Sequence, residues 1–242
     1  MTLLATFAYS FIVFGPIGAL FCTTVAPHPY EIIVSIAGSF FWLLSLFCSS
    51  VIWAVVTPLW ATPAFTLPFS VLLQEFFRFL FFKLLQRADH LLAILSDDKT
   101  VRRKVKVSYV GGMGFALIVG LVYYGNVLSE AGGPGVVGLI YPGDSTLFFL
   151  TSAFATNAMM ALHVCWGVML FHALDTKNWI ELFVTIFLHM AIASLSLINH
   201  YVGTAVPFLL ISYAVVVGCV VYCLFIAGMR PHTLKYLFIK SS

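Results

Sequence analysis

Residues 109–120 read YVGGMGFALIVG, an apolar stretch that holds four glycines. Glycine inside a helix is about 1 kcal/mol less favourable than alanine in water. In lipid, however, small residues let helix backbones approach closely, and this contact drives helix association. Gly112, Ala116 and Gly120 are spaced by four, so they share one helix face. The stretch therefore predicts a membrane helix with a packing face of small residues. Glycine without such a role remains an alternative, because glycine is frequent in membrane helices.

The whole chain has the composition of a membrane protein. Of its 242 residues, 62% are hydrophobic and 9% are charged, and the mean hydropathy is +1.05. A soluble domain is about half apolar and a quarter charged, so this chain cannot cover a water-exposed surface. We expect an all-α polytopic membrane protein that forms a single membrane domain over residues 1–242. The first apolar run lacks a basic start and a small-residue cleavage site, so we expect it to be retained as a span.

Seven stretches are long and apolar enough to cross a bilayer, which takes about 20 residues of helix. They cover approximately residues 3–26, 31–56, 64–86, 107–128, 147–171, 179–199 and 204–228. With seven spans, all Lys and Arg residues fall on one side, in or beside the connection after the third span, in the connection after the fifth, and in the tail. The positive-inside rule then predicts a luminal or extracellular N-terminus and a cytosolic C-terminus. Attraction to anionic lipid and fixing of the topology explain the basic run RRKVK at 102–106, and we expect no binding of nucleic acid.

The third span carries charged residues in the sequence VLLQEFFRFLFFKLL. Glu75 and Arg78 are three residues apart, so they share a helix face and can form an intramembrane ion pair. Charges inside a membrane are expensive and usually face protein or water. A structural ion pair that fixes helix packing is the favoured interpretation, and a proton or ion relay is the alternative.

Two histidines occur in neighbouring spans, His163 in the fifth and His189 in the sixth. Both lie roughly 13–17 Å from the short connection between these spans, so they can meet near the middle of the membrane. A hydrogen-bonded pair between helices is one interpretation, and the lining of a cavity for a partner's polar end is another. A zinc site is a third, with His200 as a further candidate ligand, although catalytic zinc takes three protein ligands.

The residues do not indicate an active site of the chain's own. An intramembrane aspartyl protease needs two aspartates sharing a proton inside its spans. All five aspartates here fall in predicted loops: Asp89, Asp97, Asp98, Asp144 and Asp175. We therefore expect no catalytic residue, no cofactor and no metal. A membrane-embedded metal-dependent hydrolase that uses His163 and His189 remains the alternative, with a small transporter as a third possibility.

Several motifs, in their order along the chain, resemble the anterior-pharynx-defective (Aph) family, the scaffold subunit of gamma-secretase. They are FGPIGALF (14–21), AGSFFWLLSL (37–46), VLLQEFFRF (71–79), KLLQRAD (83–89), GPGVVG (133–138), GDS with FFLTSAF (143–154) and LHVCWG (162–167). The resemblance extends over nearly the whole chain and all seven spans.

The resemblance implies a non-catalytic subunit that supports a protease complex cutting type I membrane proteins such as Notch and amyloid precursor protein. The implied partners are presenilin, nicastrin and the presenilin-enhancer subunit, in the endoplasmic reticulum, the Golgi and the endosomal or plasma membrane. The family's assembly glycines correspond to Gly112, Ala116 and Gly120, and its buried histidines to His163 and His189. Alanine at 116 departs from the family glycine. The resemblance also implies that the C-terminus of presenilin inserts into a cavity of this subunit.

Overall fold

The structure, a computed structural model, describes residues 3–56, 63–92, 101–131, 145–197 and 202–229. This part of the chain forms seven α-helices and contains no strand. The helices are α1 (Leu3–Thr24), α2 (Pro29–Val55), α3 (Pro63–Leu92), α4 (Val101–Ala131), α5 (Ser145–Thr176), α6 (Trp179–Leu195) and α7 (Val202–Ile226). Each overlaps one predicted span, so the prediction of an all-α polytopic fold is confirmed. His200 and the GPGVVG motif lie outside the described residues.

Five of the described helices are long and apolar enough to cross a membrane by length and composition alone, namely α1, α2, α4, α5 and α7. The other two differ for separate reasons. Helix α6 has only 17 residues, which is short for a span of about 20. Helix α3 has 30 residues, but Glu75, Arg78 and Lys83 interrupt its apolar sequence.

Helix ends follow local chemistry. Pro29 opens α2, where its fixed φ suits the first helical turn and its missing N–H is no loss. Between α5 and α6, Lys177 has a φ of 56°, and the backbone N–H of Asn178 donates to the carbonyl of Ala173 at 2.9 Å, which closes α5 in the manner of a Schellman motif. The Asn178 side chain then caps α6 by accepting from the backbone N–H of Glu181. The two helices are thereby held as a tight antiparallel pair.

Helices α4 and α5 form the centre of the bundle. In their membrane-length parts 61% and 78% of the residues are buried, against 11% in α1 and 17% in α7. Helix α2 packs on α4, helices α6 and α7 pack on α5, and α1 packs against both α4 and α5. Helix α3 completes the arrangement by packing between α2 and α6, and makes fewer contacts with α5. The helix with the glycine-rich stretch and the helix with His163 are therefore those most enclosed by the chain itself.

Polar side chains also join α1 to this centre. Pro16 lies inside α1 and supplies no backbone N–H. On the preceding turn, the carbonyl of Val13 accepts from the buried Asn157 side chain of α5 at 3.1 Å. The hydroxyl of Tyr213, from α7, donates to Asn157 Oδ1 at 3.1 Å. One buried amide thus connects three helices.

Candidate functional site

Gly112 of α4 lies where the backbones of α4 and α5 cross. A Cβ added to Gly112 would stand 2.8 Å from the carbonyl oxygen of Val164 and 3.1 Å from its Cα, both on α5. A Cβ added to Gly167 of α5 would in turn stand 2.8 Å from the Gly112 Cα. Neighbouring Ala116 is fully buried. The packing face predicted from the spacing therefore presses against a helix of the same chain, and it is not open to another protein.

Gly120 continues this face at a different kind of contact. A Cβ added there would meet the end of the Met160 side chain, and would stand 3.0 Å from the Phe14 ring of α1. Side chains can give way more easily than backbone, so the tightest constraint of the face lies at Gly112.

The two glycines that fall off this face have a packing role of their own. A Cβ added to Gly38 of α2 would stand 2.7 Å from the Gly111 carbonyl oxygen. Near Gly114, the Ser39 hydroxyl donates to the Gly114 carbonyl at 2.8 Å, and a Cβ on Gly114 would collide with the backbone of Ser35. Sequence reasoning missed this second face, although the small residues of AGSFFWLLSL in α2 were a signal for it. Helix α4 is thus pressed between two neighbours on two glycine faces.

Beside the crossing of α4 and α5, four ionisable side chains form one buried cluster. Glu75 and Arg78 of α3 form an ion pair in which Nη1 donates to Oε1 at 2.6 Å. Arg78 Nη2 lies 2.8 Å from His163 Nδ1 on α5, and Glu75 Oε1 lies 2.5 Å from His189 Nδ1 on α6. All four side chains are at least 96% buried. We call Glu75, Arg78, His163 and His189 the central cluster.

The central cluster sets the protonation of His163. A guanidinium has only N–H donors, so Nδ1 of His163 must accept and the ring proton must be on Nε2. His189 Nδ1 donates to the Glu75 carboxylate. The negative charge of Glu75 and the positive charge of Arg78 balance, and His163 is neutral. Paired charges of this kind are tolerated inside a membrane.

Aromatic rings enclose the central cluster. The Trp166 and His189 rings stack with centroids 4.1 Å apart and an interplanar angle of 26°. The His163 and His189 rings meet edge to face with centroids 5.0 Å apart. On the side of α4, the Arg78 guanidinium lies 4.7 Å from the centre of the Phe115 ring, close enough for a cation–π contact. Residues from four helices therefore hold the cluster.

Some polar atoms of the central cluster have no hydrogen-bond partner among the described residues. They are Glu75 Oε2, Arg78 Nε and His163 Nε2. In the same part of the chain, no group of three or more His, Cys, Asp or Glu side chains is arranged to hold a metal ion. A zinc site formed by His163, His189 and His200 stays a hypothesis, because His200 lies outside the described residues.

A cavity of about 370 Å³ opens next to the central cluster. His189 and Gln74 line it, together with Met159 of α5, Ala193 of α6 and Phe208 of α7. Gln74 is itself held in place by the Trp42 side chain of α2, whose Nε1 donates to Oε1 at 3.2 Å. We call this space the far cavity, because it lies away from the end of the bundle where α3 leads into the basic connection.

These features define a class of protein: a polytopic helical membrane protein with tightly crossed central helices, a buried charged cluster, and a cavity beside it. Residues 4–230 match the Aph-1 family, described as Aph-1 protein. The chain belongs to the Aph-1 family, and the resemblance seen in the motifs is confirmed.

Relatives from several animals cover almost the whole chain. The gamma-secretase subunit Aph-1 of Drosophila melanogaster is 39% identical over 232 residues, which is 94% of each chain. The gamma-secretase subunit Aph-1b of Danio rerio is 36% identical and covers 97% of this chain and 93% of its own. For the gamma-secretase subunit APH-1B of Homo sapiens the identity is 38%, over 84% of this chain and 82% of the relative.

Proposed function

We propose that this chain is a non-catalytic scaffold subunit of a gamma-secretase, an intramembrane aspartyl protease that processes type I membrane proteins such as Notch and amyloid precursor protein. Support comes from relatives that bear the name gamma-secretase subunit and match the chain nearly end to end. The proposed partners are presenilin, nicastrin and the presenilin-enhancer subunit. The chain acts as an integral membrane protein of the endoplasmic reticulum, the Golgi and the endosomal or plasma membrane.

The far cavity carries the mechanistic part of the proposal. It is bounded by helices from both halves of the chain, and its wall includes His189 of the central cluster. At about 370 Å³ it is within the range of preformed ligand pockets, which is about 300–1,000 Å³. An inserted terminal segment of presenilin, as the family resemblance implies, fits a mainly apolar space with a few polar side chains.

The central cluster gives this cavity a defined shape. His189 is held by Glu75 on one side and by the Trp166 ring on the other. Gln74 is held by Trp42. Side chains locked in this way lose little further freedom when a partner binds, so less of the binding free energy is spent on ordering. The cluster thus supports assembly by fixing the cavity, and performs no chemistry.

Filling the cavity tests the proposal. Ala193 lines the far cavity and is buried, whereas Ala191 on the same helix is exposed. Ala193→Phe should abolish recovery of presenilin in a pull-down of the tagged chain co-expressed with the three partners. Ala191→Phe serves as the matched control and should leave recovery unchanged. Equal recovery with both variants, at equal membrane insertion, would overturn the role of the cavity.

A further inference from the structure

A second cavity lies at the opposite end of the described bundle, between α3, α4 and α5. Its volume is about 290 Å³. We call it the basic-end cavity, because it opens where α3 ends and α4 begins, next to the basic run at 102–106. It shares no lining residue with the far cavity, and nothing in the proposed scaffold function uses it.

The basic-end cavity is amphipathic. Its apolar wall is made of Phe82, Leu85, Val105, Val107, Val168 and Phe171. The Phe82 and Phe171 rings meet edge to face with centroids 5.2 Å apart. Six polar residues complete the lining: Gln86, Lys104, Ser108, His172, Asp175 and Thr176. An occupant must therefore present an apolar part inward and a polar part toward the helix ends.

The depth of this cavity along α5 corresponds to the interfacial region of a bilayer. Its lining on α5 runs from Val168 to Thr176, where the helix ends. At 1.5 Å per residue this is a depth of about 12 Å. The polar interfacial region on each side of the hydrocarbon core is roughly 5–8 Å thick. The cavity therefore spans the boundary between lipid headgroups and the first part of the acyl chains.

The charges at its mouth have both signs. Lys104 Nζ and Asp175 Oδ2 form an ion pair at 3.2 Å, with the lysine 58% and the aspartate 22% exposed. His172 is engaged elsewhere, since its Nδ1 lies 2.9 Å from both carboxylate oxygens of Glu181. A headgroup that carries only negative charge would be attracted to Lys104 but repelled by Asp175. A zwitterionic headgroup can satisfy both members of the pair.

We propose that the basic-end cavity binds a phospholipid with a phosphoethanolamine headgroup. The phosphate takes the place of Asp175 beside Lys104, and the primary ammonium donates hydrogen bonds to the Asp175 carboxylate. A trimethylammonium group has no N–H to donate, so phosphatidylcholine satisfies Asp175 less well. The acyl chains begin against the apolar wall, which distinguishes the intact lipid from free phosphoethanolamine.

Lipid retention by the purified full chain tests this site. The chain in detergent is incubated with an equimolar mixture of dioleoyl phosphatidylethanolamine, phosphatidylcholine and phosphatidylglycerol, and bound lipid is measured by native mass spectrometry. We expect phosphatidylethanolamine to be retained about threefold over each of the others, the ratio that one partly exposed ion pair can supply. Equal retention of all three, or a preference for phosphatidylglycerol, overturns the proposal. Retention of soluble phosphoethanolamine at the same level, without lipid, overturns the assignment to an intact lipid.

A second ion pair provides the matched control. Lys106 of α4 pairs with Glu31 of α2 at the same end of the bundle, but neither residue lines the cavity. Asp175→Asn should remove the preference for phosphatidylethanolamine over phosphatidylcholine, and Lys104→Gln should lower retention of both. Lys106→Gln and Glu31→Gln should change neither. An equal effect of the two sets of variants, at unchanged thermal stability, contradicts a site at this cavity.

Discussion

Gly112 of α4 and Gly167 of α5 lie in direct backbone contact, so close that a Cβ on Gly167 would stand 2.8 Å from the Gly112 Cα. Neither helix can carry a larger side chain at this point without moving away from the other. Helices in lipid associate through close packing and not through burial from water. The contact between the two most buried helices of the bundle therefore depends on this pair of glycines.

Gly112→Leu should separate α4 from α5 and destabilise the chain. The added side chain meets backbone atoms of Val164 and His163, which cannot rotate away, and overpacking of this kind costs about 1–3 kcal/mol or more. Gly125→Leu on the same helix is the control, because no atom lies within 4 Å of a Cβ there. Thermal unfolding in detergent should show a lower midpoint for Gly112→Leu alone. If partner recovery falls as well, the loss reflects the fold of α4 and α5, since the glycine face is internal.

Removing one member of the Glu75–Arg78 ion pair should destabilise the fold more than removing both. Glu75→Gln leaves the charge of Arg78, a side chain that is 99% buried, without its counter-ion. Breaking a buried ion pair in this way costs about 3–5 kcal/mol of stability. The double variant Glu75→Gln with Arg78→Met contains no net charge to bury. Unfolding midpoints of the two single variants and the double variant form the measurement. Strictly additive losses would argue against the pairing.

The hydrogen bond from Arg78 to His163 predicts which replacements of the histidine are tolerated. Gln has a carbonyl oxygen that can accept from Arg78 Nη2, as His163 Nδ1 does at 2.8 Å. His163→Gln should therefore keep most of the stability. His163→Leu leaves a buried charged donor without an acceptor, at a cost of about 1–3 kcal/mol or more. The ordering of the two unfolding midpoints tests the assigned tautomer, and a Leu variant as stable as the Gln variant would speak against it.

The predicted orientation can be tested with inserted glycosylation sites. Basic residues flank the connection between α3 and α4, and the positive-inside rule assigns this side to the cytosol. An Asn-x-Ser site inserted within 132–144 should be glycosylated in microsomes, because that connection falls on the opposite side. The same insertion within 93–100 should remain unmodified. Glycosylation of the second insertion and not the first would reverse the orientation.

The parts of the fold that depend on local sequence were predictable. Apolar stretches of about 20 residues indicate spans whatever they pack against, because an unpaired backbone is not tolerated in lipid. The three-residue spacing of Glu75 and Arg78 likewise places both on one face of α3, and the structure shows them paired. The spacing of Gly112, Ala116 and Gly120 defines a face in the same way.

The contacts of these faces were not predictable, because they depend on how each helix is rotated and which neighbour it meets. The four-residue spacing of Gly112, Ala116 and Gly120 assigned no packing role to Gly111 and Gly114, yet both contact α2. The contact of Arg78 with His163 joins residues 85 positions apart, and no spacing rule reaches that far. The pairing of Lys104 with Asp175 likewise requires the ends of α4 and α5 to lie side by side.

By itself, the sequence predicted an all-α polytopic membrane protein with small residues, charges and histidines inside its predicted spans. Those properties follow from composition and from the period of a single helix. Only the tertiary structure decided that the glycine face is internal, that the ion pair and the histidines form one cluster, and that a cavity lies on each side of it. Such features come from the packing of side chains between helices, which is set by the whole bundle at once and is absent from any one segment.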